Sequence, residues 1–340
     1  MDFRFDYHKS LEHLHVGCEK PHAYFIPYAT DTAALGDNRA ASDRFVSLCG
    51  DWDFHFYDTP EKLPDFLAPS FTREGMDKLT VPMSWQVALG RGYDVPNYTN
   101  VNYPFPVDPP HVPDDNPCGL YIRDFQIDAA SLAEQTIYLT FEGVDSCFYV
   151  FVNDTFIGYS QVSHMTSEFD ITSALRAGNN TLKVLVFKWC DGSYLEDQDK
   201  FRLSGIFREV YLLKRDKTHI VDLFARPYLT PDFKRGTMDV DVTINGEADV
   251  SYRLFRACGY EIESGTVHIN GSGKFDFLID HPELWSDETP TLYRLLITCG
   301  TEHICLFIGF REVKIENKIV YINGKKVKAK GVNQIGRAHV

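Results

Sequence analysis

The feature that most constrains this chain is an alternation of apolar and polar residues, repeated in many short segments. Clear examples are YIRDFQI at residues 121–127, MDVDVTI at 238–244 and KFDFLI at 274–279. Denser apolar runs, such as CFYVFV at 147–152, are typical of strands buried on both faces. Long segments with a helical period are missing, and the best helical candidate, residues 173–177, is a single turn. The pattern predicts an all-β protein built from β-sandwiches.

Two polar dipeptides connect pairs of these segments. Asn153-Asp154 separates CFYVFV from the next apolar run, and Asn323-Gly324 separates two short segments near the end of the chain. Asn, Asp and Gly adopt positive φ angles at lower cost than other residues. Both dipeptides therefore predict two-residue β-hairpins.

The spacing of the strand-like segments divides the chain into five zones. Residues 1–47 are polar and irregular and predict an arm laid over other surfaces, and residues 48–216 form a first strand-rich block. Residues 217–313 form a second block, which has the length of a single immunoglobulin-like sandwich. A last hairpin occupies residues 314–333. The final QIGRAHV, residues 334–340, continues no strand, so we expect it to be a scar or a truncation outside the fold.

The charge balance narrows the possible partners. The sequence has 34 Lys and Arg against 48 Asp and Glu, a formal net charge of −14. Such an acidic chain is a poor candidate for binding nucleic acid or an anionic membrane through its overall field. No apolar run approaches the ~18 residues of a membrane span, and the N-terminus shows no secretory signal pattern.

The eight cysteines are scattered without a CxxC pair, which indicates free thiols, so we expect a cytoplasmic protein.

A long insert at residues 90–119 interrupts the first block. Its sequence, GRGYDVPNYTNVNYPFPVDPPHVPDDNPCG, is too rich in Pro, Asn and Asp for a regular strand or helix. Long irregular segments inside compact domains are usually functional. Amide, carboxylate and tyrosine groups suit sugar recognition, but a rigid proline-clamped loop that packs on a neighbouring domain fits the composition equally well.

A second loop, residues 189–208, carries a cluster of acidic side chains. Its sequence, WCDGSYLEDQDKFRLSGIFR, places Asp191, Glu196, Asp197 and Asp199 among aromatic residues. Oxygen-rich loops bind hard cations or sugar hydroxyls. On charge alone, a solvated acidic turn is the favoured interpretation.

Several longer segments form a recognisable set between about residues 20 and 333. They include PHAYFIPY, VPMSWQ, FEGVDSCFYVFVND, PELWSDETPTLY, GFREVKI and INGKKVKAKGVN, in this order. Two more are YTNVNYPFP, at residues 98–106, and SYLEDQD, at residues 193–199. Together these segments resemble glycoside hydrolase family 2, whose members include β-glucuronidases and β-mannosidases. The last two resemble its large bacterial β-galactosidases of the lac type specifically, and so suggest the substrate.

The resemblance implies a layout and an activity. The first block would be a jelly-roll, galactose-binding-like sandwich, the second an immunoglobulin-like sandwich, and the last hairpin the start of a (β/α)8 barrel. This branch hydrolyses terminal β-D-galactosides such as lactose with retention, using two glutamates on barrel strands. A barrel needs about 250 residues, and only seven follow Asn333. We therefore expect the chain to lack the barrel, the catalytic glutamates and the Mg²⁺ site of the full-length parent, and to be inactive alone.

The resemblance also implies two substrate-positioning residues. Asn100 matches an amide that reaches galactose hydroxyls, and Asp199 matches a carboxylate that contacts galactose and helps to coordinate Na⁺. The Na⁺ site would be partial, because the barrel completes it, and the full-length parent would be a homotetramer. Two alternatives remain: a non-catalytic two-sandwich carbohydrate-binding module, or a β-glucuronidase or β-mannosidase fragment. The SYLEDQD loop argues against the second alternative.

Overall fold

The computed structural model describes residues 6–88, 90–98, 103–196, 201–328 and 331. The described residues form two compact units. Those within Met1–Pro21 and Asn38–Lys217 form the first unit, and those within His22–Asp37 and Thr218–Val340 form the second. Residues 22–37, which the sequence pattern places in an N-terminal arm, thus belong to the second unit.

Strands are the main secondary structure of both units, and most of them are short. In chain order they are β1 (His15–Val16), β2 (Phe45–Ser47), β3 (Gly50–Tyr57), β4 (Asp77–Val81), β5 (Asn97–Tyr98), β6 (Cys118–Ile127), β7 (Gln135–Phe141), β8 (Val144–Asp145), β9 (Cys147–Val152), β10 (Thr155–Ser160), β11 (Ser167–Asp170), β12 (Gly178–Phe187), β13 (Phe201–Arg202), β14 (Gly205–Ile206), β15 (Val210–Asp216), β16 (Ile220–Leu229), β17 (Arg235–Phe255), β18 (Glu261–Asp280), β19 (Tyr293–Cys299), β20 (Glu302–Ile308), β21 (Val313–Glu316), β22 (Ile319–Ile322) and β23 (Lys325–Val327). The α-helices of the described residues are α1 (Asp31–Gly36) and α2 (Ala129–Glu134). Single 3-10 turns occupy Tyr7–Lys9, Arg39–Ala41, Pro60–Lys62, Trp85–Val87, Thr172–Ala174 and Asp191–Tyr194.

The first unit is a β-sandwich made of two antiparallel sheets. The strand order is β1-β10-β9-β12-β6-β3-β4 in the larger sheet and β11-β7-β15-β2 in the smaller one. Alternate residues of β9, namely Phe148, Val150 and Val152, enter the apolar core between the sheets. The intervening Tyr149 and Phe151 enter a second apolar cluster on the outer face of the larger sheet. This second cluster explains why β9 is buried on both faces, as its dense apolar sequence predicts.

Two irregular segments cover this outer face. Tyr7, from the N-terminal arm, packs there, and so does Phe66 from the segment between β3 and β4. The ring centroids lie 6.0 Å apart for Tyr7 and Tyr149, and 5.4 Å apart for Phe66 and Phe151. The arm continues into β1, which pairs with the edge of β10. Polar, irregular sequence is therefore ordered here by the aromatic side chains that it contributes.

The second unit is an immunoglobulin-like sandwich organised by one long hairpin. Strands β17 and β18 span 21 and 20 residues and pair with each other on both sides of a register shift. Strand β16 pairs with the first part of β17, whereas β19 pairs with its second part and continues to β20. The core of this unit includes Phe25. Backbone hydrogen bonds of 2.9 Å in both directions between Tyr28 and His303 hold the same segment to β20.

The observed turns can be compared with the two hairpins and the one helical turn that the sequence predicts. Asn153 and Asp154 have φ angles of 48° and 64° and join β9 to β10, and Asn323 and Gly324 have 48° and 72° and join β22 to β23. Both hairpin predictions are confirmed. The predicted helical turn at residues 173–177 is wrong in extent, because the 3-10 turn ends at Ala174 and the next residue is extended.

The fold class is confirmed as all-β, with a galactose-binding-like sandwich followed by an immunoglobulin-like one. After the second sandwich, β21, β22 and β23 form a small antiparallel sheet. The QIGRAHV segment, residues 334–340, lies outside the described residues. Across the described ranges there is no (β/α)8 barrel. Nor does any helix there have the length and apolar character to cross a membrane.

Candidate functional site

The two predicted site residues, Asn100 and Asp199, lie outside the described residues, but the chain beside each of them is described. Strand β5 ends at Tyr98, two residues before Asn100, and β13 begins at Phe201, two residues after Asp199. These strands pair antiparallel, with Tyr98 directly opposite Phe201. The insert and the acidic loop therefore meet at one two-stranded ladder.

The inner face of this ladder is anchored by polar contacts. Asn97 lies opposite Arg202, and its Oδ1 accepts a hydrogen bond from Lys188 Nζ at 3.1 Å. Arg202 is buried and donates from Nη2 to the carbonyl oxygen of Ser193 at 3.1 Å. Because successive side chains of a strand point to opposite faces, these anchors direct Tyr98 to the other face of the ladder.

A buried ion pair holds the base of the insert. The ammonium group of Lys188 pairs with Asp94, and their side chains are only 7% and 15% exposed. Gln86 Nε2 donates to the same carboxylate at 3.1 Å, and Gln86 Oε1 accepts from the backbone nitrogen of Ser204 at 2.8 Å. A buried pair of this kind is costly to break, since one charge would then remain without its partner. The base of the insert is consequently fixed to Lys188, which follows β12 and directly precedes the acidic loop.

Tyr194 joins the acidic loop to the insert. Its hydroxyl donates to the carbonyl oxygen of His111 at 2.6 Å and accepts from the backbone nitrogen of Asp108 at 3.1 Å. Its own carbonyl oxygen accepts from the Tyr103 hydroxyl. The insert is therefore packed on the acidic loop of its own unit.

An aromatic cluster completes this packing. Phe105, Val112 and Trp189 are buried together, and the Phe105 ring centroid lies 5.1 Å from that of Trp189. Asn116 accepts from the backbone nitrogen of Trp189 at 2.9 Å and donates to its carbonyl oxygen at 2.7 Å. Trp189 is thus a packing anchor of the insert.

The interpretation of the acidic loop as a solvated turn is wrong for the two acids that the structure describes. Asp191 is only 5% exposed, and burial raises the pKa of its carboxyl group. Gln161 Nε2 lies 3.4 Å from Asp191 Oδ2. Glu196 Oε1 accepts from the backbone nitrogen and hydroxyl of Ser163 at 3.0 and 3.1 Å. Charge counting cannot detect such burial, because it depends on the neighbouring loop at Gln161 and Ser163.

The sequence did not single out two exposed aromatic residues of this region, Tyr98 and Phe201. Tyr98 is 54% exposed and Phe201 is 58% exposed, and their ring centroids lie 5.7 Å apart at an interplanar angle of 63°. The signal was present in the sequence, because an aromatic residue stands two positions away from each predicted site residue. Within the part of the chain that the structure describes, no group of three His, Cys, Asp or Glu side chains is placed to hold a metal.

Comparison with known proteins identifies both units. Residues 45–216 match the family described as glycosyl hydrolases family 2, sugar binding domain, and residues 218–311 match glycosyl hydrolases family 2. The chain is 42% identical over 332 residues to a protein named beta-galactosidase from Actinobacillus pleuropneumoniae, covering 97% of this chain and 31% of that protein. It is 41% identical over 329 residues to the beta-galactosidase of Staphylococcus xylosus, covering 96% and 32%. The chain thus spans about a third of the length of these curated relatives.

Solved structures support the fold. A beta-glucuronidase from an uncultured Clostridium species matches with a TM-score of 0.66 at 22% identity, covering 83% of this chain and 47% of that one. The beta-glucuronidase of Bifidobacterium dentium matches with a TM-score of 0.67 at 18% identity, covering 84% and 51%. At such low identity the likeness concerns the fold alone. The matches of both units, taken together, show that this chain belongs to glycosyl hydrolase family 2.

Proposed function

We propose that this chain is the N-terminal portion of a retaining β-galactosidase that hydrolyses terminal β-D-galactosides such as lactose. The observation that carries the proposal is the ladder of Tyr98 and Phe201, which brings the flanks of the two galactosidase-like segments side by side. The identity of 42% and 41% to relatives named beta-galactosidase supports the same substrate.

In this proposal, the chain positions the sugar. The Asn100 amide can donate to one hydroxyl and accept from its neighbour, which suits the vicinal hydroxyls of galactose. The Asp199 carboxylate accepts charge-assisted hydrogen bonds and provides one ligand of a partial Na⁺ site. Holding the non-reacting hydroxyls fixes the orientation of the anomeric carbon.

The reacting groups would come from elsewhere in the full-length enzyme. Retaining glycosidases use one carboxyl group as general acid and base and a second as nucleophile. We place both, together with the Mg²⁺ site and the groups that complete the Na⁺ site, in a barrel domain that this sequence does not contain. We further propose a cytoplasmic homotetramer for the full-length protein and no nucleic-acid or membrane partner.

The main alternative is a non-catalytic carbohydrate-binding module. Two sandwiches that carry polar and aromatic loops are also compatible with that function. A β-glucuronidase or β-mannosidase fragment is the other alternative, and the beta-glucuronidase titles of the structural matches are consistent with it. The higher identity to beta-galactosidases over nearly the whole chain favours galactose.

Hydrolysis and frontal chromatography together test the proposal. The chain alone should not hydrolyse a chromogenic β-galactoside above a blank. On immobilised galactose it should be retarded weakly, with a dissociation constant above about 1 mM. It should be retarded less on immobilised mannose or glucuronate.

Asn100→Ala and Asp199→Ala should abolish the preference for galactose, whereas Asn179→Ala, on an exposed strand end, should retain it. Turnover by the chain alone, or equal retardation on all three sugars, would contradict the proposal.

A further inference from the structure

A cavity of about 650 Å³ lies within the first unit, beside the apolar cluster on the outer face of the larger sheet. The N-terminal arm, the segment between β3 and β4, the insert and the end of β12 all contribute to its walls. Its apolar lining consists of Pro60, Leu63, Pro64, Phe66, Leu67 and Phe187. A cavity of this size with apolar walls and a few polar groups is typical of a small-molecule site.

The walls of the cavity are fixed by hydrogen bonds of the backbone. The backbone nitrogen of Leu63 donates to the carbonyl oxygen of Pro60 at 3.0 Å, and that of Phe66 donates to the carbonyl oxygen of Pro64 at 2.8 Å. The carbonyl oxygen of Phe66 also accepts from the buried ammonium group of Lys183 at 2.6 Å. A ligand that enters such a cavity loses little affinity to ordering of the protein backbone.

His8 supplies the polar group at the apolar wall. It lines the cavity, is only 5% exposed, and places Nδ1 3.1 Å from the Tyr149 hydroxyl. Within the ranges that the structure describes, its Nε2 has no hydrogen-bond partner. A polar atom of a nearly buried side chain is costly to leave without a partner. A ligand that exchanges a hydrogen bond with Nε2 therefore gains affinity.

The protonation state of His8 restricts that ligand. Burial lowers the pKa of this imidazole to about 4, so the ring is neutral at pH 7. In a neutral imidazole, Nε2 donates or accepts according to the tautomer. A hydroxyl group can do both and is compatible with either tautomer.

The charges of the lining restrict the ligand further. The carboxylates of Glu61, Asp65 and Asp114 line the cavity, and Lys9 is the one cation among the described lining residues. Lys9 Nζ lies 2.6 Å from Asp114 Oδ1, so its charge is already compensated. The excess of carboxylates repels anions. A cation would lose its hydration against the apolar walls, which leaves a neutral ligand as the favoured one.

We propose that this cavity binds a small neutral aromatic alcohol, whose hydroxyl group exchanges a hydrogen bond with His8 Nε2. The ring of the ligand packs on walls that include Phe66 and Phe187, because aromatic rings associate favourably in edge-to-face and offset arrangements. A hexose does not fit this chemistry, since it would bury several hydroxyl groups against apolar walls. The inference thus adds a second class of ligand to the sugar of the proposed function.

Four ligands with the same methylphenyl body test the proposal on the whole chain. Each is titrated into the ¹⁵N-labelled protein at pH 7: 4-methylphenol, toluene, 4-methylbenzoate and 4-methylbenzylamine. We expect 4-methylphenol to shift amides at residues 8–9, 61–67 and 187. Toluene should bind about five-fold more weakly, because it lacks the hydroxyl group. The carboxylate and the ammonium ligand should bind at least about ten-fold more weakly than 4-methylphenol.

Two variants locate the ligand. Leu63→Trp fills the cavity with a larger side chain and should abolish binding of 4-methylphenol. Leu278→Trp, at a residue 60% exposed in the second unit, is the matched control and should bind as the wild type does. His8→Phe keeps a ring but removes Nε2, so it should lower the affinity for 4-methylphenol to that for toluene and leave toluene binding unchanged.

The titrations and variants each provide results that would overturn the proposal. Equal affinity of the wild type for toluene and 4-methylphenol would show that His8 does not select a hydroxyl group. Tighter binding of the carboxylate or the ammonium ligand would overturn the neutral class. Unchanged binding of 4-methylphenol in Leu63→Trp, or amide shifts confined to residues outside the lining, would show that the cavity is not the site. The ligand series in the wild type decides the matter even if His8→Phe does not fold.

Discussion

His8 shows what packing does to a single titratable side chain. Its ring is 5% exposed, lies stacked on Phe187 at a centroid distance of 4.7 Å, and places Nδ1 3.1 Å from the Tyr149 hydroxyl. Burial, assisted by the positive charge of Lys9, lowers the pKa of His8 from 6.5 to about 4. The native state therefore holds this imidazole neutral over a range in which the unfolded chain protonates it.

This shift predicts an acid-dependent loss of stability. The contribution of His8 is fully present above pH 6.5 and is lost as the pH falls towards 4, because the unfolded state binds the proton first. Between pH 7 and pH 4, the free energy of unfolding of the wild type should fall by about 3 kcal/mol relative to that of His8→Asn. Urea unfolding followed by tryptophan fluorescence measures both proteins at each pH.

A matched control isolates the effect. His111→Asn changes an exposed histidine and should follow the wild-type pH dependence. Parallel pH profiles for the wild type and His8→Asn would show that His8 titrates normally in the native state.

The conformation or burial of only some residues was predictable from the sequence. Asn153 and Asn323 were, because positive φ is a local preference of the residue itself. The burial of His8 and Asp191 was not, because it is imposed by Phe187 and by the loop at Gln161, which are distant in sequence.

Among the elements, the pairing of β1 with β10 depends on a glycine. A Cβ atom at Gly158 would lie 2.2 Å from the carbonyl oxygen of Val16 and 2.8 Å from the Phe169 ring. The β1 backbone therefore approaches β10 more closely than any side chain at position 158 allows. Through this contact the arm is held to the edge of the larger sheet.

We expect Gly158→Ala to separate β1 from β10 and to lower the free energy of unfolding by about 1–3 kcal/mol. Hydrogen exchange of residues 7–20 should accelerate, since the arm loses its strand pairing. Gly36→Ala is the control, because a Cβ there meets nothing within 4 Å, and it should leave exchange in the arm unchanged. Wild-type exchange of the arm in Gly158→Ala would show that the close approach is not needed.

Elements differed in how far sequence could predict them. Strands such as β6 and β9 were evident in the sequence, because alternating or densely apolar segments of this length are typical of β-strands. Helices α1 and α2 were missed because six residues are too few to show a helical period; their signals are caps, with Thr30 and Asp128 accepting from Ala33 and Ser131. Strands β5 and β13 have two residues each and exist only because they pair with each other.

At the scale of the whole molecule, the fold class followed from the sequence, but the composition of the second unit did not. Residues 22–37 show no strand-like alternation in sequence, yet Phe25 enters the core of the second sandwich and Tyr28 pairs with His303. Such contacts span more than 190 positions and leave no periodic pattern in the segment itself. The candidate site was predictable only as two loops, since their meeting at the ladder is a property of the tertiary fold.

Protein-observed NMR with galactose tests the central claim most directly, namely that the insert and the acidic loop form one sugar-binding wall. In a titration of the ¹⁵N-labelled chain, the account predicts the largest amide shifts at residues 97–98, 189–196 and 201–204, and much smaller shifts with mannose. Shifts concentrated instead around the cavity lined by His8, Pro64 and Phe187, or equal shifts with both sugars, would contradict it.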